Sequence, residues 1–377
     1  MTTPKHHVQT LAIHAGHLNN EKLGDIVQPI HVTTTFERNQ NGGLKDYSYT
    51  RSANPNRQTV ENKIAAIEGA TTAVAFSSGM AAINAIFETV LEPDCHVIIP
   101  DDCYHGTRTL LENFLKRWKT TYDQVDMAVV ATVEKSIKPS TRLIWMETPS
   151  NPQLKIADIQ AITQLAKKNN IYTACDSTFA TPLLQKPLEL GADFSMHSST
   201  KYFAGHSDIL GGIVCVNRAD VATQLRGYQG AAGAVPAPFD CWLLNRSLAT
   251  FPLRFATQCN NAMAIATYLS THAHIEKVFY PGLTTHLNHA IAKKQMTNGY
   301  GSILSVLIKG GREEAFAFAA KLTIFKHATS LGGVESLVEH RRSAEGNYPI
   351  SPDNLVRIAV GIEYVDDLIQ DLAQALA

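Results

Sequence analysis

The sequence predicts an α/β protein. Its larger part is a mainly parallel sheet covered by helices on both faces, and a smaller α/β part closes the C-terminal end. Two patterns lead to this reading. Between residue 57 and about residue 200, helical periodicity alternates with short apolar runs of strand length. Each run also stops abruptly in polar residues, as expected where the carboxyl ends of buried strands open onto a ligand crevice. Length agrees, since 377 residues suit one large globular unit or two lobes sharing an interface.

The first fifty residues are rich in His, Asn, Gly and Thr with little apolar periodicity, so residues 1–52 are expected to form an arm. Residues 53–248 are expected to form the large domain. Within it, 57–68 predicts a helix, 73–76 a strand and 78–90 a helix. His96–Pro100 predicts the next strand and 107–119 a helix. The compact apolar segments 143–146, 171–175 and Phe194–His197 continue the sheet. A long helix begins near Phe251-Pro252, and residues 249–377 are expected to form the C-terminal domain. Strands over 302–308 and 355–360 flank helices over 313–321 and 365–376 there.

Composition excludes several function classes. A formal net charge of -1 gives no electrostatic reason to expect nucleic acid or an anionic membrane as partner. No stretch approaches the ~20 apolar residues of a membrane span. The start, MTTPKHHVQT, lacks the apolar core of a secretory signal, so a cytoplasmic location is expected. The six cysteines (Cys95, Cys103, Cys175, Cys215, Cys241, Cys259) form no C-x-x-C pair. Reduced, mostly buried thiols are expected rather than a disulfide framework or zinc site. Fifteen histidines invite a metal, but the pairs His6/His7 and His272/His274 belong to no familiar ligand pattern, so no metal site is expected.

Chemistry is sought at the strand ends. Ser77-Ser78-Gly79-Met80 opens a helix whose free N–H groups and dipole suit an anion, although such a start also serves as an ordinary cap. In Ser198-Ser199-Thr200-Lys201, hydroxyls and an ammonium leave one strand end together, which suits a phosphate beside an amine nucleophile. Most lysines are solvated, but one packed among small residues after a buried strand has a lowered pKa and becomes nucleophilic. Asp176 is either a turn former or a carboxylate facing a pyridine nitrogen. Tyr104 is either an ordinary half-buried tyrosine or a ring stacked on a flat cofactor. Arg357 lies mid-strand, where a charge needs a partner: a structural salt bridge, or a substrate carboxylate held bidentately.

Further motifs stand in order along the chain. They are Tyr47-Ser-Tyr-Thr-Arg-Ser-Ala-Asn-Pro55, Glu147-Thr-Pro-Ser-Asn-Pro152, Asp176-Ser-Thr-Phe179, Ser330-Leu-Gly-Gly-Val-Glu-Ser336 and Arg357-Ile-Ala-Val-Gly-Ile-Glu363. With them, the sequence resembles the Cys/Met-metabolism family of pyridoxal 5'-phosphate (PLP) enzymes, the cystathionine lyases and synthases, from about residue 8 to the C-terminus. The resemblance implies the PLP-dependent transferase fold type I, with Lys201 carrying the cofactor as an imine and Asp176 pairing with its pyridine nitrogen. It implies that Gly79, Met80, Ser198 and Thr200 hold the phosphate and that Tyr104 stacks on the ring. Asn151, Ser330 and Arg357 would bind the substrate's α-carboxylate, with Glu147 an acid beside the cofactor. Tyr49 and Arg51 would reach the phosphate of a neighbouring subunit, within a homotetramer of dimers that share active sites.

The resemblance further implies a carbon–sulfur lyase acting on a sulfur amino acid. Lys201, freed by the substrate amine, would move protons at Cα and Cβ, and Tyr104 could protonate the departing sulfur. Thr329 stands where some related γ-lyases carry glutamate and some β-lyases tyrosine. Many relatives place an arginine one residue after the position of Arg108, to meet the substrate's distal carboxylate; Arg108 is a candidate substitute. The segment 340–352 contains Arg341-Arg342-Ser-Ala-Glu-Gly, which is similar to bacterial γ-lyases. Cystathionine γ-lyase activity is therefore the expectation, with β-lyase and γ-synthase activities as alternatives. Methionine γ-lyase ranks below them because Gly106 replaces the cysteine typical of that group. A non-catalytic PLP-binding protein and an aminotransferase are the remaining alternatives.

Overall fold

The computed structural model describes residues 6–18, 23–345 and 349–377. Seven strands build the larger sheet: β1 (Thr72–Phe76), β2 (His96–Pro100), β3 (Thr121–Val125), β4 (Thr141–Glu147), β5 (Tyr172–Asp176), β6 (Phe194–His197) and β7 (Gly212–Val216). Their spatial order is β1-β7-β6-β5-β4-β2-β3. Pairing is parallel except around β7, which runs antiparallel to both β1 and β6. Alternate residues of the central strands feed different cores. Leu143 and Trp145 pack on one face with Val97 and Ile99, whereas Ile144 and Met146 pack on the other with Ile98. This two-faced burial explains why the strands read as continuous apolar runs.

Local chemistry sets the helix ends. Asn54 caps the helix Pro55–Glu68 by accepting from Asn56 N–H, Pro55 opens it, and Gly69 closes it at φ 78°. Ser78 caps the helix Gly79–Val90 by accepting from Ala81 N–H at 3.0 Å. The helix expected over 107–119 is two pieces. The α-helix His105–Asn113 gives way at Phe114 to a 3-10 turn, Leu115–Trp118, and Lys119 then adopts φ 58°. The chain needs that break to turn into β3. Neither β3 nor β7 was among the predicted strands. The sequence of β3, TYDQV, is largely polar because it forms the sheet edge.

A second sheet of five strands follows: β8 (Ile275–Phe279), β9 (Ile303–Ile308), β10 (Lys326–His327), β11 (Leu337–His340) and β12 (Leu355–Ala359), in the order β10-β11-β12-β9-β8. It is antiparallel except between β10 and β11. One apolar cluster joins this sheet to the helices Phe251–Ser270, Arg312–Lys321 and Val365–Leu376. The N-terminal segment is more ordered than its composition suggests. The helix Val8–His14 packs on Pro55–Glu68, and Thr35 bridges to Tyr49. Ile26, Val27, Val32 and Leu44 are nevertheless exposed. All six cysteines are buried and unpaired. Among the described residues, no helix is long and apolar enough to cross a membrane, and no cluster of three or more His, Cys, Asp or Glu could hold a metal ion.

Candidate active site

A cavity of about 230 Å³ lies where the carboxyl ends of β4, β5 and β6 meet the turn at 329–331 and Arg357 of β12. The parallel register sets Glu147 of β4 beside Asp176 of β5. Asp176 Oδ1 accepts from Thr178 N–H at 3.0 Å and from Thr178 Oγ1 at 2.5 Å. Thr178 Oγ1 in turn accepts from Ser198 N–H at 2.9 Å. Asp176 thus forms its own turn while lining the cavity, so the two readings of its sequence position coexist. Burial raises the pKa of both carboxyls, that of Glu147 well above its ordinary range, and Asp176 pushes Glu147 further up. Glu147 Oε2 accepts from Tyr104 N–H at 2.8 Å, which anchors the tyrosine at the cavity wall.

One end of the cavity is suited to an anion. The twelve-residue helix Gly79–Val90 starts there, with Ser78, Gly79, Met80, Ser198 and Thr200 in the wall. A side chain at Gly79 would bring Cβ to 3.1 Å from Ser198 Oγ, so glycine keeps the cradle open. Thr200 Oγ1 donates to Gly211 C=O at 3.1 Å and accepts from Gly211 N–H at 3.0 Å, which locks its hydroxyl in place. A helix-end cradle, a buried carboxylate and a half-buried amine around one cavity form the donor set that a phosphorylated pyridine aldehyde requires.

The amine is Lys201. Its Nζ donates to Ser330 Oγ at 2.8 Å, and burial reinforced by the Arg357 charge lowers its pKa to about 8. Ser330 sits at φ 93°, a left-handed conformation that costs a non-glycine residue roughly 1–3 kcal/mol and signals a constrained turn. Arg357 donates to Asn151 Oδ1 at 3.0 Å, to Ser330 C=O at 3.0 Å and to Glu339 Oε2 at 2.7 Å. Glu339 is its cross-strand neighbour between β11 and β12. Burial, then the nearby Arg341, lowers the Arg357 pKa to about 10.

A profile of the Cys/Met metabolism PLP-dependent enzymes matches residues 9–377. The chain belongs to this family. Its cofactor is pyridoxal 5'-phosphate, and its fold is the PLP-dependent type I fold. The chain is 44% identical over 373 residues to the cystathionine gamma-synthase of Mycobacterium tuberculosis, covering 97% of this chain and 96% of that protein. It is 41% identical over 382 residues to the cystathionine beta-lyase of Coxiella burnetii, covering 99% and 98%. The crystal structure of cystathionine gamma-lyase from Lactobacillus plantarum complexed with L-serine superposes with a TM-score of 0.92 at 37% identity, covering 98% of each chain.

Among the residues the sequence singled out in this PLP enzyme, Gly79, Met80, Tyr104, Glu147, Asn151, Asp176, Ser198, Thr200, Lys201, Thr329, Ser330 and Arg357 line this cavity together. Tyr49 and Arg51 do not. Both are exposed; Arg51 donates to Gly230 C=O, and its guanidinium lies 5.8 Å from the centroid of the Tyr49 ring. Arg108 is buried but lies outside the cavity wall, which overturns its candidacy for a distal contact. The helix starts at His105, so it is the first residue of that turn, not the fourth, that meets the cavity. Arg341 was missed as a lining residue. Its signal was a paired arginine in a segment read only for its similarity to bacterial γ-lyases. Residues 346–348 of that segment lie outside the described residues.

Proposed function

We propose that this enzyme is a cystathionine γ-lyase, which converts L-cystathionine and water to L-cysteine, 2-oxobutanoate and ammonia. The observation that carries the reading is Lys201, a half-buried amine whose pKa is lowered to about 8, which touches Ser330 and shares a cavity with Arg357. When bound, PLP supplies an electron sink for the charge that develops at Cα. Arg357, already oriented by Asn151 and Glu339, binds the substrate's α-carboxylate, with Asn151 and Ser330 beside it. Lys201, which lines the cavity, would take the Cα proton and carry a proton at Cβ, work that suits a primary amine on a flexible stem. Burial raises the Tyr104 pKa, so its phenol keeps a proton to hand to the departing sulfur. Asp176 would keep the ring nitrogen protonated, and Gly79, Met80, Ser198 and Thr200 would hold the phosphate.

The exposed positions of Tyr49 and Arg51 support their action on a neighbouring subunit's phosphate, within a homotetramer. A second reading, γ-replacement, is favoured by the name of the mycobacterial relative. It needs the same proton transfers by Lys201, with a thiol entering at Cγ. Products of L-cystathionine turnover, separated by chromatography, test the proposal. Cysteine with 2-oxobutanoate supports it, whereas homocysteine with pyruvate means β-elimination and overturns it. Net synthesis of cystathionine from an activated homoserine and cysteine, without lysis, would favour γ-replacement.

A further inference from the structure

Ser330 holds Lys201 at its tip, and the backbone at its root is held as well. The chain coils tightly around this residue. Lys201 N–H donates to Ser198 C=O at 3.2 Å, Ala204 N–H to Ser199 C=O at 3.0 Å and Gly205 N–H to Lys201 C=O at 2.7 Å. Gly205 ends the coil in the left-handed region, at φ 70°. The carbonyls of Tyr202 and Phe203 accept there from the Arg254 guanidinium, at 3.0 and 3.4 Å, and the same group donates to Ser247 C=O at 3.0 Å. Arg254 is the fourth residue of the helix Phe251–Ser270, is 6% exposed, and donates from Nε to Thr250 Oγ1 at 3.3 Å. Gly205 makes room for it, since a Cβ at that position would lie 1.8 Å from Arg254 Nη1. Burial lowers the Arg254 pKa to about 10, which leaves it cationic at neutral pH. A buried charge is costly unless hydrogen bonds offset it, and here the offset comes mainly from the backbone of the Lys201 coil and of the neighbouring helix Pro238–Leu248.

We propose that Arg254 is a positioning residue, which fixes the backbone of Lys201 so that the amine stands at one place in the cavity. The inference rests on the reading of Lys201 as the amine that holds PLP and as the base at Cα. Arg254 does not line the cavity, so it acts through the coil. Tyr202 strengthens the grip: its hydroxyl meets Ser302 Oγ at 2.7 Å, and its ring lies edge-on to Phe255 with centroids 4.7 Å apart. The long, flexible lysine stem is thus strung between two fixed points, Ser330 at the amine and Arg254 beneath the chain. Displacement of a reacting group by roughly 1 Å costs on the order of a hundredfold in rate. The alternative is that Arg254 only fastens its own helix. In that case its loss lowers the melting temperature and leaves the chemistry of Lys201 as it was.

Three full-length proteins decide between these: native, Arg254→Met and Arg254→Lys, each shown by circular dichroism to be folded at the assay temperature. Capture of PLP by the chain stripped of cofactor, followed by visible absorbance, should slow about tenfold in Arg254→Met. Arg254→Lys keeps the charge but reaches fewer carbonyls, so it should recover part of the loss. The holoenzyme supplies a second readout, exchange of the Cα proton of L-alanine in deuterium oxide, which needs a base but no leaving group. Its kcat should fall about tenfold or more in Arg254→Met while KM changes little, because Arg357 and Asn151 keep their places. A native capture rate in Arg254→Met, with only the melting temperature lowered, overturns the proposal, and so does a raised KM with native kcat. If the native enzyme exchanged no Cα proton, Lys201 would fail as the base, and the capture rates alone would decide what Arg254 does. Should Arg254→Met not fold, Arg254→Lys carries both readings: rates lower by about threefold or more support the proposal, and native rates overturn it.

Discussion

Lys201 Nζ lies 2.8 Å from Ser330 Oγ, so the amine that follows the larger sheet is held by a turn leading into the smaller one. The contact spans 129 residues of sequence and links the phosphate-cradle strand end to the Arg357 site through one residue, whose hydroxyl accepts from Lys201 and whose carbonyl accepts from Arg357. Ser330 adopts a left-handed conformation to make it.

The amine itself is the first test. Lys201→Ala should abolish both the visible absorbance of the bound cofactor and turnover, because no other lysine lines the cavity. A spectrophotometric titration with PLP beside an ammonia-release assay would check this. A variant that retained both signals would remove Lys201 from its proposed role.

The lowered pKa of Lys201 has a kinetic consequence. Only the deprotonated amine attacks an aldehyde, and burial with Arg357 favours that form. Capture of PLP by cofactor-free protein should therefore accelerate about tenfold per pH unit up to about pH 8 and then level off. Stopped-flow absorbance between pH 6 and pH 10 (a range chosen to span both limits) measures the profile. A rate still climbing steeply near the ordinary lysine pKa of roughly 10.4 would contradict the burial argument.

Asp176 separates charge from geometry. Asn at this position can still accept from Thr178 N–H and Oγ1, so the turn should persist and the melting temperature should change little. Loss of the carboxylate should lower turnover on the order of a hundredfold or more if Asp176 keeps the cofactor nitrogen protonated. Circular dichroism and steady-state kinetics on Asp176→Asn distinguish the two effects. Near-native turnover would leave Asp176 only a turn former.

Arg51 tests the sharing of sites between subunits. Arg51→Gln should weaken PLP binding although Arg51 lies outside the cavity of its own chain. Mixed oligomers of Arg51→Gln with Lys201→Ala should regain activity, because some sites would combine an intact Arg51 with an intact Lys201. Sedimentation and activity measurements on the mixture provide the check. A fully active monomer would exclude the shared site.

Much of the fold and the candidate site can be read from the sequence, because both depend on local chemistry. Buried strands announce themselves as apolar runs, and the polar residues at their ends, from Ser78-Gly79 to Ser198-Ser199-Thr200-Lys201, mark the crevice before any contact is known. Asp176, Tyr104 and Arg357 are suspicious for the same local reason: polar groups placed where burial must be offset. The polar edge strand β3 escapes detection because its composition reflects its exposure. Only the tertiary structure decides which distant groups share a charge. Parallel register sets Glu147 against Asp176, and the antiparallel β11–β12 pair delivers Glu339 to Arg357 while Arg341 claims the same oxygen. Neither local propensity nor periodicity encodes such pairings, since the partners are separated by long stretches of chain and meet only when the sheets assemble. That is why the sequence could name a reactive lysine, while the second arginine at its cavity had to be found in the folded molecule.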